Sequence, residues 1–533
     1  MIQQHYFTRN IKGLYSNTPG YDTMAKSKGL SDDFIKDVLH PLCSYNPPIE
    51  LTYAGNGNLD IFPQSVTCVH TEDGTVVLGR IIYTGTDSIG FRNTFFAHNY
   101  VIPKDEYEHL AKNSAKLLYV DSFAKKHNTS EGPELSEISE LTFNKNIGEF
   151  DRGDILFNKL KIDSTIYKKL LSALFLSSLN KKCIYVSLCV GASDFTACAK
   201  ALMEKLLEGL PYELRKKIGF VTYSREVKKL QNVSIMFIEK GGIVLDEGEE
   251  LESYIFDLSK EIYTNVNIDV DKHYYLEYAW KNLDNQNALK EFHELADDML
   301  KNQNENLKFA LDVYNQLAVF YDLIEGQEEY YMQNKGECFK GVYELGCLAN
   351  INNKDWLDEI FITMFKREIQ CVENISGYIS PITFIETLVN YYNEAGPKHR
   401  ERIFEILAIS IMNSNEVGTF EYSMKVMEKI REKNNLFSDF INTIFESKRL
   451  RKSIVLWYVE EAFNRLDSLD EVFNEMTLWA NVCYRVAAHR NFHDIVKMKF
   501  VKNIDKQTDK LTATNTIFNF LNTFCEGKHD IVK

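Results

Sequence analysis

The sequence predicts an α+β multidomain protein: a mixed α+β N-terminal domain, a small α/β middle domain and an all-α helical C-terminal region. Three observations carry this. The chain has 533 residues, and at roughly 100–200 residues per domain that length calls for about three domains. Apolar runs of strand length, bounded by turn residues, occupy the first half. From about residue 270 the apolar spacing turns helical almost without interruption. With 44% hydrophobic and 26% charged residues, the composition is that of a globular chain that buries a core.

Residues 1–125 read as the N-terminal domain. Ser65 to His70 (SVTCVH) and Val76 to Thr84 (VVLGRIIYT) are strands, and Asp73-Gly74 between them is a hairpin-turn pair. Thr94 to Ile102 (TFFAHNYVI) is a third strand. Ser31 is placed to cap a helix through FIKDVLH, which Pro41 is expected to stop. Gly13, Gly20, Gly29, Gly55 and Gly57 punctuate the loops. Residues 126–150 (KHNTSEGPELSEISELTFNKNIGEF) are polar and turn-rich and read as a linker.

Residues 151–265 read as the α/β middle domain. Ser164 to Leu179 is helical by pattern. Cys183 to Val190 is a continuous apolar run, as expected of a strand buried on both faces. Phe195, Cys198, Ala199, Leu202 and Leu206 then recur at helical spacing, with Ser193 as the expected N-cap and Gly209 with Pro211 as the stop. Ile218 to Tyr223 and Val233 to Glu239 are further strands. Strands alternating with helices give an α/β layer.

Residues 266–533 read as helices. Leu307, Leu311, Tyr314, Ala318 and Tyr321 share one helix face, and Phe420, Met424, Met427 and Ile430 share another. Ser468 with Glu471 forms a capping box. No clean repeat of 33 to 47 residues emerges, so the expectation is an irregular helical array or bundle. Such an array offers a long groove to a partner.

The net charge of −15 repels phosphate on average, and no segment marks a basic patch. Nucleic acid and acidic lipid surfaces are therefore not expected partners. Ten cysteines without a CxxC pair read as reduced thiols. The N-terminus lacks an apolar signal core, and the apolar stretch Leu170 to Asn180 is about half a membrane span. The expected location is the cytoplasm.

No motif completes a reaction centre. Gly191-Ala-Ser-Asp194 opens a helix, but a P-loop would need a second Gly followed by Lys and Ser or Thr. It reads as an ordinary strand-to-helix turn, with Asp194 repelling phosphate. His489 and His493, four apart on an expected helix, could share a face, but a zinc site needs a third ligand. Cys43 or Cys68 with His98 would be the pair of a hidden cysteine-dependent hydrolase. GxSxG is absent. Arg92, Asn93 and His98 sit around an aromatic strand on which Thr94, Phe96 and His98 share a side. This reads either as a polar pocket or, more simply, as a hydrogen-bonded core histidine. No cofactor or metal is expected. The residues thus point to a partner-binding protein and not to an enzyme.

The segments QHYFTRNIKGLYSNTPGYDTMAKSKGL, LHPLCSY and GRIIYTGTDSIGFRNTFFAHNYVIP together resemble the N-terminal domain of the GTPase-associated protein 1 family. An aromatic-rich first strand, the Pro19-Gly20 turn, the Gly79-Arg80 pair and the FRNTFFAH box carry the resemblance. The family box reads closer to GRxGNxFAH, from which Phe91 and Thr94 depart. LPYELRKKIGFVTYSRE (Leu210 to Glu226) is similar to that family's middle domain. The resemblance implies a non-catalytic adaptor or scaffold that accompanies a GTPase in a bacterial system, conflict or defence systems included. It implies an interaction motif at Arg80, Arg92, Asn93 and His98.

Overall fold

A computed structural model of the chain describes residues 1–54, 58–87, 91–145, 148–375, 377–393 and 397–526. Gly55 and Gly57 lie outside the described residues, and so does the side chain of Cys525. The chain divides into two compact units: Met1–Tyr321 with Asn350–Asn352, and Asp322–Ala349 with Asn353–Lys533.

The first unit is built on one 11-stranded sheet. Its strands are β1 (Gln3–Asn10), β2 (Gly20–Ser27), β3 (Ser65–His70), β4 (Val76–Thr86), β5 (Asn93–Ile102), β6 (Glu134–Leu135), β7 (Cys183–Ser187), β8 (Phe220–Ser224), β9 (Ile235–Ile238), β10 (Ser253–Asp257) and β11 (Ile262–Thr264). Their order is β11-β10-β7-β9-β8-β3-β4-β5-β1-β2-β6. β10, β7, β9 and β8 run parallel to one another, as α/β alternation requires. β3, β4, β5, β1 and β2 pair antiparallel. The two styles join at β3 and β8, where Thr67 faces Val221 and Cys68 faces Phe220.

The expected β3–β4 hairpin forms. Thr71 N–H donates to Thr75 O, and Gly74 takes φ +85°, a left-handed value that glycine adopts without cost. Residues 126–150 contribute β6, which pairs with β2, and a bridge from Ile138 to Ile2.

One apolar cluster spans both halves of the sheet. Leu30, Ile35 and Leu39 pack with Val77 and Val101 on one side and with Met236 and Ile238 on the other. Burying each such side chain contributes roughly 1.5–3 kcal/mol, so the continuous sheet is held by a shared core and not by edge hydrogen bonds alone. Ser31 caps the covering helical segment as expected, its Oγ accepting from Phe34 N. Pro41 does not stop that segment. A π turn over Ile35–Leu39 widens the backbone ahead of it, and the helix continues through His40–Leu42.

Three further boundaries differ from the sequence reading. β7 ends at Ser187, so the apolar residues Leu188 and Val190 belong to a buried loop. The following helix, Ala192–Glu208, is capped by Gly191 and places Ser193 inside its first turn. Leu307 stands on a separate short helix, Glu305–Lys308, apart from Leu311–Ile324, which carries the rest of its expected face. Gly209 ends the Ala192–Glu208 helix as expected.

The described residues of the second unit form helices joined by turns and short loops, with no strand among them. Met424, Met427 and Ile430 are buried on the helix Phe420–Arg431, while Phe420 at its start is 53% exposed. The Ser468–Glu471 capping box is present. Among the described residues, no helix is long and apolar enough to cross a membrane.

Candidate interaction surface

The two faces of β5 separate the residues that sequence reading placed together. A strand turns alternate side chains to opposite faces. Asn99 faces Gly79 across the β4–β5 ladder, and Arg80 faces His98. Tyr6 on β1 faces His98 from the other side. Arg80 and His98 therefore share one face, while Asn99 belongs to the other.

On the Arg80 face, His98 is buried, 1% exposed, and its Nδ1 accepts from Ala124 N at 2.9 Å. That bond leaves the ring proton on Nε2, which has no hydrogen-bond partner. Tyr6, Tyr100 and Phe123 surround the ring at 4.7, 4.3 and 5.3 Å between centroids. Arg80 donates from Nη2 to Phe123 O at 2.7 Å and lies over the Phe123 ring. His98 is a core histidine beneath the segment 122–125. Of the two readings offered for it, the hydrogen-bonded core group is the one found.

On the opposite face, Asn99 Nδ2 donates to His5 Nδ1 at 3.0 Å and to Cys43 Sγ at 3.2 Å. His5 Nε2 meets Thr23 Oγ1 at 2.8 Å, and that hydroxyl also meets His40 Nε2 at 2.8 Å. A Cβ on residue 79 would come within 2.3 Å of Asn99 Oδ1, so Gly79 is what leaves room for this network. Cys43 thus sits across the sheet from His98. Cys68 faces Leu78, which faces Tyr100 in turn, so Cys68 lies two strands across and two residues along from His98, roughly 12 Å by strand geometry. Burial pushes both thiols up to about 12. Neither cysteine pairs with His98, and the thiol–imidazole couple of a hydrolase is not assembled.

Burial lowers His5 and His98 to about 3. The unfolded chain takes up these protons near pH 6.5, whereas the folded chain refuses them until about pH 3. Stability is therefore expected to fall as pH drops through that window, by about 1.4 kcal/mol per pH unit for each histidine. Urea unfolding between pH 7 and pH 4.5 should show this slope, and His98→Gln should reduce it by one proton.

Arg92 and Asn93 stand at the far end of β5, at the rim of the sheet. Asp87 N–H donates to Arg92 O at 2.8 Å, closing the β4–β5 hairpin. Asn93 Oδ1 accepts from Tyr83 OH and its backbone O accepts from Tyr21 OH, both at 2.9 Å. Arg9 pairs with Asp87 at 3.7 Å and draws the end of β1 to the same rim. Tyr21 stacks on Phe95 at 4.4 Å, and Phe62 lies 4.2 Å from Tyr83. Phe91, just before β5, is 86% exposed, and Ile11, just past the end of β1, is 76% exposed. An exposed phenylalanine and arginine next to Asn93, whose groups are bonded to Tyr83 and Tyr21, have the residue types that protein-docking spots favour.

A cavity of about 620 Å³ lies elsewhere in the first unit, lined by Lys112, Tyr119, Lys145, Glu204, Glu208 and Tyr212 among others. Its acidic groups are engaged: Lys145 Nζ reaches both Glu204 oxygens at 2.8 Å, and Tyr119 OH donates to Glu204 at 2.7 Å. Burial raises Glu208 to about 7.

In the second unit, His489 is the N-cap of Arg490–Lys506, with Nδ1 accepting from Asn491 N, and His493 Nε2 meets Ala487 O at 2.8 Å. The two imidazoles serve the helix start. Among the described residues no group of three or more His, Cys, Asp or Glu could hold a metal ion. The helix opening at Gly191 is likewise structural, with Asp194 paired to Lys159 at 2.9 Å.

No curated protein matches the chain. Two families of domains do. Residues 1–141 match GTPase-associated protein 1, N-terminal domain type 2, and residues 156–260 match GTPase-associated protein 1, middle domain. Over its first 260 residues the chain thus carries the N-terminal and middle domains of the GTPase-associated protein 1 family.

Proposed function

We propose that this chain is a non-catalytic cytoplasmic adaptor that binds a GTPase within a bacterial conflict or defence system. The observation that carries the reading is the pair of matched domains, both described as GTPase-associated. In this reading the N-terminal domain (1–125), the connecting segment (126–150) and the middle domain (151–265) form the part that meets the GTPase. The helical region (266–533) extends the scaffold. Docking takes place at the rim, at the exposed Phe91, Arg92 and Asn93 where β5 begins, with Ile11 exposed just past the end of β1. Arg80 and His98 hold the sheet beneath it.

Pull-down of the full chain from its host, with GDP and with a non-hydrolysable GTP analogue, is expected to recover a GTPase. Recovery of none in either nucleotide state would refute the reading. Phe91→Asp and Arg92→Glu are expected to weaken capture at least about tenfold, the loss of a single interface hot spot. Both side chains are exposed, so thermal stability should stay within about 0.5 kcal/mol of the parent. Equal capture by both variants would move the docking site off the rim.

A further inference from the structure

In the second unit two separate segments build a basic patch around one phenylalanine. Phe445, at the end of the helix Asn434–Ile444, is buried. Arg451 lies over its ring with Cζ 5.1 Å from the centre, and Arg485 lies over the same ring at 5.7 Å. His489 meets that ring perpendicularly, with 6.0 Å between centroids. The three side chains come from three elements. Arg451 belongs to the helical stretch that Ser447 caps, Arg485 to Tyr484–Ala487, and His489 is the N-cap of Arg490–Lys506.

Lys448, Arg449 and Lys452 stand beside Arg451 in sequence, and all three are exposed. Over residues 445–452 and 484–489 five Lys or Arg meet one Glu, so the sign of the charge here opposes the net −15 of the whole chain. That acid, Glu446, pairs with Arg485, and Glu416 reaches Arg449 at 3.8 Å. Lys448, Arg451 and Lys452 make no ion pair among the described residues. The segment Lys448–Lys452 becomes a patch only when Phe445 brings Arg485 and His489 to it.

Two local preferences are set aside to gather these charges. A helix start favours acidic groups, as in Glu247–Leu251 and Leu469–Val482, whose first turns are acidic. The first turn at Lys448–Leu450 carries Lys448 and Arg449 and no acid. The backbone then takes a π turn over Arg451–Leu456, with no proline in or near it to account for the widening. Such turns are rare and gather at functional sites.

We infer that this patch is a docking surface for a short, extended, acidic segment of a partner protein. Guanidinium and ammonium groups side by side match side-chain carboxylates, a recurring mode of acidic-motif recognition. A short segment meets the patch alone, whereas nucleic acid, a long polyanion, also meets the repulsive field of the acidic chain. The patch lies outside both matched domains, so it stands or falls independently of the GTPase reading.

The test is fluorescence anisotropy of the full chain with a fluorescein-labelled peptide of alternating Glu and Gly, and its Gln–Gly counterpart as control. The Glu peptide is expected to bind saturably and more weakly as salt rises, and the Gln peptide not to bind. Lys448→Glu combined with Lys452→Glu should weaken binding at least about tenfold. The new carboxylates stand at a helix opening, so this variant should melt at or above the parent Tm. Arg485→Gln, which also breaks the pair with Glu446, is the second variant and should weaken binding as well. Lys354→Glu, at the exposed start of another helix of the same unit, should leave the affinity unchanged. No saturable binding of the Glu peptide overturns the inference, and so does an equal loss in Lys354→Glu, which would mean that the peptide senses net charge alone. Displacement of the peptide by a thymidine oligonucleotide of equal charge at equal or lower concentration would assign the patch to nucleic acid and overturn the inference too.

Discussion

Replacing Arg215 with methionine is expected to destabilise the first unit by about 3–5 kcal/mol, the largest single effect in that unit. Arg215 is buried, and its guanidinium is fully spoken for. Nε donates to Leu210 O at 2.7 Å, Nη1 to Lys112 O at 2.8 Å, and Nη2 to Glu208 O at 3.0 Å and His293 Nδ1 at 3.1 Å. These acceptors come from three places: the end of the N-terminal region, the turn after the Ala192–Glu208 helix, and the helix Gln286–Leu300. The network closes through Tyr275, whose OH donates to Gly209 O at 2.6 Å and meets His293 Nε2 at 2.8 Å. Since Arg215 donates to Nδ1, the His293 proton resides on Nε2. Burial, with the Arg215 charge beside it, keeps that ring neutral, well below the usual histidine range.

Methionine fills similar volume but leaves three carbonyls and an imidazole nitrogen without donors, each costing about 1–3 kcal/mol. Lysine should recover little, because one ammonium cannot reach acceptors arranged for a planar fork. Urea unfolding with hydrogen exchange read at the Phe220–Ser224 strand isolates this unit from the second. A loss under about 1 kcal/mol in Arg215→Met would show that the segments are held by apolar packing instead.

The same network shows where sequence reading stops. Local features were legible: the Asp73-Gly74 turn, the Ser31 cap and the strand Ser65–His70 each follow from a few adjacent residues. β10 (SYIFD) and β11 were not singled out, being short and without a clear alternation. Features made by distant segments left no trace. Arg215 lies in the stretch that resembles the family's middle domain, yet its partners Lys112 and His293 are 103 and 78 residues away. The reverse error occurs as well. Arg92, Asn93 and His98 are close in sequence, but a strand rises about 3.3 Å per residue, so a five-residue interval carries His98 into the core and leaves Asn93 at the rim. The cysteine–histidine pairing failed for a similar reason, since Asn99 turns its side chain and Cys43 away from the face that holds His98.

In the second unit the expected result is an asymmetry between single and double substitutions. Lys335 Nζ lies 3.0 Å from Glu368 Oε2 and 3.0 Å from Tyr378 OH, and 3.4 Å from Cys371 Sγ. Tyr378 OH donates to the other Glu368 oxygen at 2.7 Å. The Glu368 side chain is 0% exposed and that of Lys335 6%. Hydrogen bonds from Lys335 to Tyr378 and Glu368 outweigh its burial and hold its ammonium protonated above the usual lysine range. Glu368→Leu strands that ammonium in the helical core, and Lys335→Met strands the carboxylate. Each single variant is expected to lose about 3–5 kcal/mol. The double variant Lys335→Met with Glu368→Leu removes both charges at once and should recover most of the loss, ending within about 1–2 kcal/mol of the parent or above it. The coupling energy from this cycle, measured by urea unfolding of the second unit, is therefore expected to exceed about 3 kcal/mol. Additive losses would mean that water or relaxation solvates each group separately. They would place the stability of these helices in apolar packing around Phe339, Phe384 and Trp479 and not in the ion pair.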